Sequence, residues 1–148
     1  MKKHKIWLIV FSVLLMSATL MAQERRRYEF SLAGGAVITD SAYGPVVGLS
    51  IGYTSKSVGA EVNGAYIGMV VVFGANLVAG LFDSKRAIPY ATGGVWTSTY
   101  GGLGFYLGGG LKLMISPRSA WRTEYRYYVV GDSKWGLNAV VTGISWFF

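Results

Sequence analysis

The chain has 148 residues and a formal net charge of +7, with a mean hydropathy of +0.39. That is long enough for one domain and too apolar for an ordinary soluble domain of its size, so a membrane or an export signal must account for the excess. There is no cysteine, and the one histidine is His4, which removes disulfides, thiolate chemistry and a lipid-bearing cysteine and leaves few of the commonest bases, nucleophiles and soft metal ligands. No catalytic residue, cofactor or metal site is expected.

Met1-Lys2-Lys3-His4-Lys5 is a cationic start, residues 6–16 form an apolar run, and residues 17–22 are smaller and end in Ala22. This is the layout of a secretory signal peptide. The apolar run is shorter than the roughly 20 residues a spanning helix needs, and Gln23-Glu24-Arg25-Arg26-Arg27 follows it directly. The expected organisation is therefore a signal peptide over 1–22, cut after Ala22, and one domain over 23–148. Leu20, two residues before that cut, is larger than the residue usually preferred there. Losing Lys2, Lys3 and Lys5 leaves eleven basic residues against seven acidic ones, a net charge of +4. Three of those cations sit together at Arg25-Arg26-Arg27 and the rest are scattered, so the basic stripe of a nucleic-acid binder is missing. Phosphate-bearing lipid headgroups are the expected anionic neighbours.

Beyond residue 27 no apolar run of about 18 residues occurs, which excludes membrane helices, yet apolar and aromatic residues recur with a period of two. Strands are predicted at 28–38, 45–54, 58–67, 70–82, 87–97, 102–115, 120–130 and 136–148. Each is near the ten or so residues that a tilted strand needs to cross a bilayer. Thr54-Ser55-Lys56-Ser57, Asp83-Ser84-Lys85-Arg86 and Ser116-Pro117-Arg118-Ser119 are compact polar turns after the second, fourth and sixth strands. The links at 39–44, 97–101 and 131–135, with the shortest near Gly68, would lie at the opposite end. In an outer-membrane barrel the first set and both termini face the periplasm.

The final strand shows the pattern best. Val140, Ile144, Trp146 and Phe148 share one face, and Ala139, Val141, Gly143 and Ser145 share the other. Strand 120–130 puts Trp121, Thr123, Tyr125, Tyr127 and Val129 opposite Arg122, Glu124 and Arg126. An Arg or Lys facing lipid near the midplane costs about 2–4 kcal/mol, so the charged face should point inward. The same reasoning turns Glu29, Ser31, Glu61, Asn63, Asn76 and Lys112 inward. Glu29, Glu61, Glu124, Lys112, Arg122 and Arg126 then form a mutually neutralising lumen network with a structural role, since charges held from bulk water need partners. A plugged interior is expected rather than an open pore, because eight strands enclose a space that side chains fill. Glu61 and Glu124 could also be read as an acid/base pair, but their cationic neighbours favour a structural ion cluster.

Glycines inside the runs (Gly48, Gly52, Gly64, Gly74, Gly93, Gly94, Gly104, Gly108 and Gly110) suit a narrow barrel whose small inner residues make room for larger ones. Gly108-Gly109-Gly110 lacks the Lys-Ser/Thr and the helix pattern of a phosphate loop. Tyr28, Phe30, Tyr53, Tyr66, Trp121, Trp146 and Phe148, near strand ends, fit interfacial girdles.

Gly108-Gly109-Gly110-Leu111-Lys112, Ser116-Pro117-Arg118, Arg122-Thr123-Glu124-Tyr125-Arg126-Tyr127 and Ile144-Ser145-Trp146-Phe147-Phe148 resemble the small outer-membrane β-barrel family that includes the OmpA-type transmembrane domain and OmpX-like proteins. The resemblance implies an all-β, eight-stranded antiparallel up-and-down barrel in the outer membrane of a Gram-negative bacterium. It also implies that Phe148 is the assembly signal read by the barrel-assembly machinery. Outer-membrane lipids and lipopolysaccharide would be the neighbours of a monomer. The family's roles are diverse, and this chain shows no peptidoglycan-binding domain and only short outer links. A structural or surface role without catalysis is expected. A narrow small-solute channel is the second reading, and a periplasmic lipocalin-like carrier of an apolar ligand the third. A lipid-modifying enzyme would need a His beside a Ser, which residues 23–148 do not supply.

Overall fold

The computed structural model describes residues 27–39, 43–55, 57–81, 86–130 and 136–148. The expected signal peptide, Lys56, Asp83 to Lys85 and the link 131–135 lie outside the described residues. Eight strands follow one another: β1 (Arg27–Ile38), β2 (Tyr43–Thr54), β3 (Val58–Ile67), β4 (Val70–Gly80), β5 (Ala87–Ser98), β6 (Leu103–Ser116), β7 (Ser119–Val130) and β8 (Gly136–Phe147). Each pairs antiparallel with the next, and β8 returns to β1, from Glu29 opposite Phe147 to Ile38 opposite Asn138. Closure leaves no edge, which matters because an unpaired backbone group in hydrocarbon costs several kcal/mol, on the order of a lost hydrogen bond or more.

The alternation reads directly as outside and inside. Leu32, Val47, Leu49, Ile51, Val62, Phe73, Leu77, Val95, Phe105 and Leu107 are all exposed. A continuous apolar wall of this kind far exceeds the patches tolerated on a soluble monomer and suits lipid. The charged face of β7 is buried and its aromatic face exposed, as its pattern predicts. This distribution is the reverse of a soluble carrier barrel.

Two prolines sit inside strands without breaking the barrel. In an antiparallel strand a residue's N–H and C=O point to the same side. Gly68 N donates to Pro45 O (3.2 Å) and Leu81 N to Pro89 O (2.9 Å). Each missing N–H therefore faces a side where the β2–β3 ladder, from Val46, and the β4–β5 ladder, up to Tyr90, do not reach.

The connections differ in detail from the sequence reading. Gly44 belongs to β2 and Thr97 to β5, so the first and fifth links are shorter than expected. The β3–β4 reversal is the tight one anticipated near Gly68, whose φ of 63° is the left-handed conformation that glycine accepts without a Cβ clash. At the other end Ser116 and Ser119 hydroxyls lie 2.8 Å apart across the β6–β7 turn, and Arg118 N donates to Ser116 Oγ (3.2 Å).

Of the nine strand glycines named above, seven face the lumen, whereas Gly64 and Gly93 lie on the outer wall, where a Cβ would meet Phe73 and Leu107. Both follow from strand phase: Glu61 and Tyr90 set the inner parity of β3 and β5. Among the inner ones, a Cβ at Gly110 would come within 2.6 Å of the Tyr90 ring. That glycine leaves room for the Tyr90 ring and hydroxyl.

Candidate functional site: a closed ionic lumen

The six charged residues expected to face inward all do, and they form one connected cluster. Arg122, the fourth residue of β7, is its centre. Its guanidinium clamps Glu61 with NH1 to Oε1 (2.8 Å) and NH2 to Oε2 (3.0 Å). It also donates from NH2 to Glu124 Oε2 (2.6 Å) and lies 3.6 Å from Glu29 Oε1. A planar fork with several donors is the group best suited to joining carboxylates in this way. Lys112 Nζ donates to the second oxygen of Glu29 (2.6 Å), and Arg126 Nε donates to Glu124 Oε1. Glu29, Glu61 and Glu124 are 1–2% exposed, so none of these pairs has solvent as a substitute partner.

Neutral side chains complete the cluster. Tyr90 OH accepts from Arg122 Nε (2.8 Å) and donates to Glu124 Oε2 (2.6 Å). Asn76 Nδ2 donates to Glu61 Oε2 (3.3 Å) and to Thr92 Oγ1 (3.1 Å), and its Oδ1 accepts from Asn63 Nδ2 (2.6 Å). Ser31 Oγ donates to Glu29 Oε1 (3.3 Å) and is 2.7 Å from Ser145 Oγ. Lys112 also sits over the Tyr90 and Phe147 rings, 5.3 and 5.9 Å from their centroids, and Arg126 over Tyr106 at 5.0 Å. The contacts reach from β1 to β3, β4, β5, β6, β7 and β8, so the cluster ties opposite walls together across the lumen.

A second layer lies toward the end where β1–β2, β3–β4 and β5–β6 are joined, called here the loop end. Val37, Val46, Tyr106, Tyr128 and Ala139 are buried there against Ile67, Trp96, Leu137 and Val141. Tyr128 meets Trp96 edge-on at 6.0 Å and Tyr106 at 5.1 Å. A cavity of about 40 Å³ remains between the layers, beside Ser31, Ser50, Asn63, Arg122, Glu124 and Arg126. It is large enough for ordered water beside those polar groups, and Ala33, Val46, Leu49, Ala65 and Val141 line the rest of it. Among the described residues no cluster of three or more His, Cys, Asp or Glu side chains could hold a metal ion.

Tyr90 and Thr92 were not legible as lumen partners, whereas Tyr128 was passed over although it shares the charged face of β7. β5 carries no Asp, Glu, Lys, Arg or His between Ala87 and Ser98, so no charge in its sequence says which face is inner. The β5–β6 register supplies that: Tyr90 stands opposite Gly110 and Thr92 opposite Gly108. The tyrosine-over-glycine pairing is a signal that could have been sought.

Tyr28, Phe30, Tyr53, Trp121, Trp146 and Phe148 gather at the end carrying the chain termini, with Tyr28 and Tyr53 edge-on at 5.6 Å and Phe30 and Trp146 stacked at 5.9 Å. Tyr66 lies toward the loop end, near exposed Tyr43, Met69 and Tyr100.

A closed antiparallel barrel of eight strands, apolar outside and ionic within, is a small transmembrane barrel of the outer-membrane type, with its lumen filled by its own side chains. No family model and no curated protein matches the chain, but solved structures of that architecture do. The N-terminal barrel domain of Pseudomonas aeruginosa OprF aligns with a TM-score of 0.69 at 14% identity, over 82% of this chain and 97% of that one. Neisserial surface protein A aligns at 0.66 and 15% identity, over 83% and 97%. The outer-membrane enzyme PagL aligns at 0.56 and 16% identity, over 79% and 97%. At such identities the likeness is one of fold. That an enzyme stands among these structures means the fold alone does not separate catalytic from non-catalytic barrels.

Proposed function

We propose that this chain is an integral barrel of the Gram-negative outer membrane, with a structural or surface role, no catalytic activity and no solute pathway. The observation that carries this reading is the lumen: a neutral set of three carboxylates and three cations fills one layer and an aromatic and aliphatic cluster fills the other. Both termini and the β2–β3, β4–β5 and β6–β7 turns then face the periplasm. Outer-membrane lipids and lipopolysaccharide contact the wall, and the barrel acts as a monomer. Phe148 serves as the assembly signal. It is exposed at the β1–β8 seam, where its N–H donates to Tyr28 O (3.0 Å), within reach of assembly machinery engaging the last strand. Absence of His and Cys from residues 23–148 supports the non-catalytic reading.

A narrow small-solute channel is the second reading, favoured by the polar cavity beside Arg122 and Arg126. Single-channel recording in planar bilayers separates the two. The plugged barrel gives a silent membrane after verified insertion, whereas reproducible conductance steps, altered by replacing Arg126 or Glu124, would establish the channel.

A further inference from the structure

The outer wall is apolar over most of its circumference. Among the described residues, the outward-facing side chains of β1 to β5 are aliphatic, aromatic, glycine or proline apart from Thr97, and those of β6 from Leu103 to Ile115 are leucine, phenylalanine, glycine and isoleucine. The β7–β8 wall differs. Thr123, Thr142 and Asn138 face outward there, beside Tyr125 and Tyr127. The two threonines satisfy each other, their hydroxyls 3.0 Å apart, and Trp121 Nε1 donates to Thr123 Oγ1 (3.2 Å).

Asn138 is only half satisfied. Tyr125 OH donates to its Oδ1, and among the described residues no acceptor meets its Nδ2. Tyr127 stands directly opposite Asn138 across the ladder, and its hydroxyl has no protein partner either. The ring of Tyr127 leans toward the loop end, over Gly136. Asn138 is the third residue of β8 and Tyr127 the fourth from the end of β7, which places both within about 10 Å of the loop-end limit of the strands. Exposed Tyr66, next to last in β3, marks the headgroup level at that end. The two donors therefore lie just beneath the headgroups. A donor left unpaired against hydrocarbon is costly, and the acceptors a bilayer offers at that depth are the carbonyls that link acyl chains to the lipid backbone.

We propose that Asn138 and Tyr127 form a binding site for the acyl-linkage carbonyls of a lipid in the leaflet that meets the loop end, with Tyr125 orienting the amide. Below the site, Ala36 and Gly34 of β1 stand opposite Val140 and Thr142 and keep the wall low where the acyl chain runs. The inference rests on the membrane-spanning reading given above and places one of its lipid contacts at a defined position.

The test uses two lipids that differ only in the carbonyl. The barrel is placed in nanodiscs containing equal amounts of ester-linked phosphatidylcholine and its ether-linked analogue with the same chains, then released for native mass spectrometry, where the two adducts separate by mass. The expected result is a preference of about fivefold for the ester lipid, the size of one hydrogen bond, falling to near parity in N138L/Y127F. Equal adducts in the parent, or a preference that survives the double substitution, would overturn the site while leaving the barrel in its membrane. Failure of the folded parent to enter nanodiscs would instead overturn the membrane-spanning reading, and the site with it. Y127F alone keeps the ring over Gly136 and is expected to lower the preference part of the way, which keeps the test available should the double variant fail to insert.

Discussion

Arg122 illustrates how much a single lumen residue can carry. It meets Glu61, Glu124, Glu29 and Tyr90 at once, so removing any one carboxylate leaves cationic charge in a space with no bulk water. Breaking a buried pair by deleting one partner typically costs about 3–5 kcal/mol. Glu124→Ala, which takes from Arg126 its carboxylate partner and leaves Arg122 with Glu61 and Glu29 alone, is expected to lower unfolding free energy by about that amount in urea titrations of the reconstituted barrel. An unchanged midpoint would mean that the cluster has no structural role. Tyr90→Phe removes only a hydroxyl that bridges Arg122 and Glu124, so its cost should be about 1–3 kcal/mol, that of leaving a buried group unsatisfied. A loss as large as that of Glu124→Ala would contradict this and make the hydroxyl bridge as important to the cluster as the carboxylate itself.

Strands set which residues can meet, and glycines on facing strands set how closely. Gly110 lies opposite both Tyr90 and Glu124, and a side chain there would strike the Tyr90 ring and Thr123 O. Gly110→Val should destabilise the barrel by more than Tyr90→Phe, and thermal denaturation of the two variants side by side tests the order. The eight strands and the inner face of β7 were legible in the sequence, because alternation and the high cost of a lipid-facing charge both act within a single strand. The composition of the lumen was legible for the same reason: Glu29, Glu61, Lys112, Arg122, Glu124 and Arg126 each declare their side. Who touches whom was not. Arg122 reaching Glu61 across the lumen, or Tyr90 inserting between Arg122 and Glu124, depends on barrel closure and stagger, which no single strand encodes. Gly64 and Gly93 show the converse limit. Being small, they are tolerated on either wall, and only the phase of their neighbours places them outside.

At the scale of the whole molecule, closure and plugging reinforce each other. The ladder between β1 and β8 removes the last edge, and the ion cluster fastens walls that the ladders alone would join only around the circumference. Within the lumen the charges balance, so no net charge is held in the low-dielectric core, and the remaining described cations are left to the terminal rim.

The most direct test of this account compares electrophoretic mobility of the outer-membrane fraction with and without boiling. A closed barrel held by continuous ladders and a buried ion cluster resists detergent in the cold and unfolds only on heating. The account therefore predicts a compact band in unboiled samples that shifts on boiling. A single unshifted band, with the protein recovered in the soluble periplasmic fraction, would contradict the membrane-spanning barrel at its root.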